Sequence, residues 1–128
     1  MLVFAWAPLS PTHAITAGKP VSKELRDEEN RLTAAISSEP RDFKREELIF
    51  HLAILCATKT GQFDRARTLV PLIVHHMEMR FSIEAQIAYR DPALSKEQRV
   101  EAYKRLILAY PTKTKMLNQM IEGEKRRP

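Results

Sequence analysis

Apolar residues recur every three or four positions from Val21 to Ile121, and prolines fall mostly at the breaks between these runs. Such spacing puts one apolar stripe on each helix. With only three glycines and no alternating apolar run, the chain has little of what a sheet requires. The pattern therefore predicts an all-α protein, and 128 residues with 44% apolar content suit a single core-bearing domain.

The first helix is predicted over Ser22–Ser37, capped by Ser22, with Glu24 in its first turn and Val21, Leu25, Leu32, Ala35 and Ile36 inward. "SSEPRD" ends it at Pro40. The second, Phe43–Thr60, has Asp42 as its expected cap. Its wide face of Leu48, Ile49, Leu52, Ala53, Leu55 and Cys56 marks it as central, and Gly61 ends it. The third, Phe63–Met79, buries Ala66, Leu69, Val70, Ile73, Val74 and Met77, and is expected to bend where Pro71 removes an amide. A short fourth helix, Ser82–Arg90, turns Ile83, Ile87 and Ala88 inward. "SKEQ", Ser95–Gln98, is a capping box opening a fifth helix with a Val100, Tyr103, Leu106, Ile107 and Tyr110 stripe, ended by Pro111. A last amphipathic segment, Thr114–Glu122, carries Met116, Leu117, Met120 and Ile121, and Gly123 can stop it. Connections this short imply antiparallel neighbours, so the chain reads as successive helical hairpins.

"GQFDRA", Gly61–Ala66, resembles the turn of a tetratricopeptide repeat, in which the glycine ends one helix, the aromatic packs into the angle and the small residue lets the helices approach. In that frame Phe50 takes the place of the early aromatic. "EAYKRLILAYP", Glu101–Pro111, is similar to the second helix of a later repeat, with Ala102 and Ala109 as small residues, Leu106 as the large one and Pro111 as terminator. The resemblance covers about residues 42–111 and departs from the family in places. Ile54 stands where a small residue is usual, "DPALS" interrupts the later unit, and Pro71 occupies a helical position. Ala66 and Ala102 are 36 apart, against a family period of about 34. The resemblance implies a short solenoid of stacked hairpins; without repeat ancestry the same elements make an irregular bundle of five to six helices. It further implies a non-catalytic adaptor that holds a protein partner in a groove.

The net charge of +5 is uneven: 14 basic and 8 acidic residues lie from Lys59 onward, 7 and 8 before it. Lys96, Arg99, Lys104, Arg105, Lys113, Lys115 and a basic tail at 124–128 form the basic side. This side could meet RNA or lipid if the chain were a structural subunit of a large complex. Tyr103 and Tyr110 belong to the inward stripe and make poor stacking platforms, so a protein partner is the favoured expectation. Residues 1–20 form an apolar arm. Leu2–Leu9, followed by small-residue sites at Thr12–Ala14 or Ile15–Ala17, resembles a signal peptide that lacks a basic start, and is too short to span a bilayer. Export is one expectation; a soluble intracellular or organellar complex with the arm packed on a neighbour is the other. Residues 21–123 form the expected domain.

The chemical candidates are few. His75 and Met79 are four apart and His76 lies about 100° further round, with His51 on the preceding helix; imidazole and thioether suit copper in an exported metal-handling protein. Histidines at a helix C-terminus suit the macrodipole without any metal, and no second His/Met cluster accompanies them, so no metal site is expected. The single cysteine, Cys56, excludes an internal disulfide and falls in an apolar run. Asp27, Glu28, Glu29, Glu46 and Glu47 read as solvated carboxylates. No phosphate-cradling loop, Ser-x-x-Lys, nucleophile elbow or zinc-ligand spacing occurs, so neither enzymatic activity nor a cofactor is expected.

Overall fold

A computed structural model describes residues 21–127; the apolar N-terminal arm lies outside them. Six α-helices and no strand occur among the described residues: α1 Lys23–Ser38, α2 Asp42–Leu55, α3 Phe63–Leu69, α4 Met77–Arg90, α5 Lys96–Ala109 and α6 Thr114–Lys125. None is long and apolar enough to cross a membrane.

Local chemistry accounts for most boundaries. The Ser22 hydroxyl accepts the Leu25 amide at 3.3 Å and starts α1. Arg41, not Asp42, occupies the cap position of α2, so Asp42 acts as an acidic first-turn residue. The end of α2 widens into a π-turn over Cys56–Thr60, closed by Gly61 at φ 72°, where only glycine is unstrained. The Ser95–Gln98 capping box is complete. Helix α6 runs through Gly123 to Lys125, so that glycine does not stop it and the first residues of the expected tail are helical.

Pro71 does more than bend a helix. Helix α3 stops at Leu69, Val70–Leu72 form a 3₁₀ turn, and the chain is extended at Ile73 before α4 begins at Met77. The expected single helix to Met79 is thus two helices, and α4 starts five residues before the predicted Ser82. With no amide at Pro71 the α-helical ladder fails. The next free amides, Val74 and His75, bond the Glu46 carboxylate on α2 at 3.0 and 2.8 Å instead of a helical carbonyl. Val74 and Met77, expected inside, are more than half or half exposed as a result.

Two cores share α4. Leu32, Ile49, Phe50, Leu52, Ala53, Cys56, Phe63, Ala66 and Ile73 pack with Ile83 and Ile87 of α4. Phe81, Ala85 and Ala88 of the same helix pack with Tyr103, Leu106, Tyr110, Leu117 and Ile121. Residues two apart on a helix point about 200° apart, so Phe81 and Ile83 face opposite ways. A helix with an apolar stripe on each side must lie between two layers.

Buried ions tie the layers together. The Arg99 guanidinium donates to the carbonyls of Ala88 and Tyr89 at the end of α4, to those of Asp91 and Leu94 in the loop that follows, at 2.9–3.4 Å, and to Glu124 of α6 at 3.1 Å. Arg67 of α3 bonds the buried Asp91 that follows α4. Replacing Arg99 by Leu orphans those carbonyls and leaves the buried Glu124 only the longer pair with Arg127 at 3.6 Å. R99L should lose about 3–5 kcal/mol of unfolding free energy in urea titration. The double variant R99L/E124L should recover part of that loss; strict additivity of the two single changes would contradict the coupling.

Candidate binding groove

Where α3 and α5 flank α4, a groove of about 610 Å³ opens, within the usual range of ligand-sized sites. Its floor is apolar: Val70, Ile87, Ala88 and Leu106, with Leu94 and Ala102 at the edges. Arg67 stands on the α3 side, and Glu97, Gln98, Glu101 and Arg105 line the α5 side. The floor joins the two cores, since Val70 and Ile87 belong to the first and Ala88 and Leu106 to the second.

The repeat-like residues fall on both sides of this division. Phe50 and Ala66 are fully buried and Phe63 nearly so, all in the first core, beside the left-handed Gly61. Ala102 and Leu106 line the groove. Ala109 and Pro111 are exposed, Ala109 as the last residue of α5 and Pro111 at the start of a 3₁₀ turn.

The metal candidates are not brought together. His75 and Met79 do not share a helix face, because His75 lies in the break before α4 while Met79 packs against the first core. His51 is exposed, its ring 5.6 Å from Phe50. His75 and His76 instead direct Nδ1 at the Glu46 carboxylate, at 2.6 and 3.1 Å. Among the described residues no group of three His, Cys, Asp or Glu side chains is arranged to hold a metal ion.

Two carboxylates read as solvated are in fact buried. Glu46, 4% exposed, receives the two amides and two imidazoles. Glu29, 8% exposed, accepts from Gln62, from Arg65 at 3.1 Å and from the Cys56 thiol at 3.8 Å. Burial pushes that thiol up to about 11, against the lowering effect of Arg65. The expected basic side is also partly consumed. Arg99 is internal, Lys113 pairs with Glu78 at 2.8 Å and lies over Phe81, and Arg127 pairs with the buried Glu124 at 3.6 Å.

No family model matches the chain, and neither a curated protein nor a solved structure is significantly similar to it.

For Glu46, burial alone would raise the carboxyl, but the His75 amide and imidazole, the His76 imidazole and the Val74 amide outweigh it and hold it at about 2, below the ordinary 4.5. The folded state thus binds fewer protons here than the unfolded one. The stabilisation is complete above the unfolded value of 4.5 and is lost as pH falls toward 2. Glu46→Gln should cost about 1–3 kcal/mol at neutral pH, and its urea midpoint should fall less between pH 5 and 2 than that of the parent. Parallel slopes would remove Glu46 from the acid response.

Proposed function

We propose that the chain is a non-catalytic protein-binding or assembly module of tetratricopeptide-like type, which holds a segment of a partner protein in the groove over α4. The observation that carries this reading is the groove itself: an apolar floor in contact with both cores and a charged rim. The likeness of Gly61–Ala66 and Glu101–Pro111 to repeat segments supports it, as does the buried packing of Phe50, Phe63 and Ala66. The alternative, a subunit whose basic end lies on RNA or lipid, is less well supported, because several of its cations are already paired within the domain.

A photoreactive residue in place of Gln98, at the groove rim, should cross-link one discrete protein in the native source. Ala102→Trp, which fills the groove, should abolish that adduct, whereas a photoreactive residue at exposed Asn118 should not form it. The same adduct from both positions, or its survival in A102W, would count against the groove.

A further inference from the structure

We infer that the occupant of this groove is a short amphipathic helical segment bearing a cationic side chain against Glu97 and Glu101, an inference that rests on the groove being a protein-binding site. The rim charges can be taken one by one. Arg67 is held by Asp64 at 3.1 Å and by Asp91. Glu84 accepts the Tyr110 hydroxyl and lies 3.5 Å from Arg80. Glu97, Glu101 and Arg105 are exposed and form no ion pair or hydrogen bond through their side chains among the described residues.

These three sit four residues apart on α5, on one helical face, and all line the groove. Glu97, in the first turn, is favoured by the helix dipole without any ligand. Glu101 lies a turn further on, where that effect has faded, and repels Glu97 at the same four-residue spacing. Arg105 lies four residues beyond Glu101, the spacing and orientation that favour an ion pair, yet no pair forms. A cation placed between Glu97 and Glu101 relieves their repulsion, whereas a phosphate at that place meets two carboxylates.

Length and floor define the rest of the occupant. Glu97 and Arg105 are eight positions apart on α5, about 12 Å at helical rise, a length that two turns of a docked helix would match. Two turns present apolar anchors at i, i+3 or i+4, and i+7, the pattern that fills an apolar groove between helices.

The test uses the full chain and two fluorescent synthetic peptides of about 14 residues, with the same leucine face and either lysines or glutamates on the polar face. By anisotropy at low ionic strength, the lysine peptide should bind at least about tenfold more tightly than the glutamate peptide, and added salt should narrow the gap. E97Q/E101Q, two exposed changes, should erase the preference without lowering the melting temperature. A102W, verified as folded by circular dichroism, should block both peptides. Equal binding of the two peptides, blocked by A102W, would overturn the cationic preference and leave the groove reading intact. A preference that survives E97Q/E101Q would overturn it too. No binding by either peptide, or binding indifferent to A102W, would overturn both.

Discussion

The turn between α3 and α4 depends on one buried carboxylate. Proline at 71 ends a helix but does not say where the chain goes next. Glu46 supplies that direction, because its oxygens accept the two amides, Val74 and His75, that the broken ladder leaves free. The His75 and His76 imidazoles complete its shell and lie against Phe43, with ring centroids 4.9 and 5.2 Å away. A carboxylate this buried is costly unless fully bonded, so the same contacts that keep Glu46 ionised fix the path of residues 73–76. Helix α4 can then begin at Met77 and turn back across the domain.

The position of α4 follows from that turn, and the rest of the fold from α4. Its Ile83 and Ile87 complete a core built by α1–α3, while its Phe81, Ala85 and Ala88 begin one closed by α5 and α6. A helix enclosed this way has little water for its last carbonyls. Arg99 takes that place and is itself neutralised by Glu124. The charge at the end of the chain is therefore partly an internal device. Reading it as a free basic surface overlooks Arg99 and Arg127, which face a carboxylate only 4% exposed.

Much of this was legible in the sequence. The all-α class, the Ser22 and Ser95 starts and the Gly61 stop rest on local chemistry that tertiary contacts did not override. The inward faces of α2 and α5 follow periodicity, as periodicity should serve helices buried on one side. The misreading of Glu46 and Glu29 as solvated has one physical cause: each is a polar residue at a core-facing position. Glu46 lies three and four residues before Ile49 and Phe50, and Glu29 falls between Leu25 and Leu32 at helical spacing. Both occupy the apolar stripe, and that register was the available sign of burial. Their partners were not foreseeable, since His75 and Val74 are more than 25 residues from Glu46. The groove was equally hidden, because Val70, Ile87, Ala88 and Leu106 each read as ordinary core residues.

That last point bears on what the groove can do. Its floor is made of residues that already pack, so their outer edges are held in place by two cores rather than by flexible loops. A surface built on packed core residues is shaped before any ligand arrives, and preorganisation lowers the ordering cost that binding must overcome. The α5 rim differs: Glu97, Glu101 and Arg105 are exposed and have no internal partner to hold them. On the binding reading proposed above, the fold provides apolar shape and the exposed rim charges above it provide selectivity. On that reading the floor sets which segments fit and the rim sets which of those are retained. Glu97 and Glu101 are exposed, so changes there leave the packing of the domain untouched, which makes them the positions at which the proposed selectivity can be tested apart from the fold.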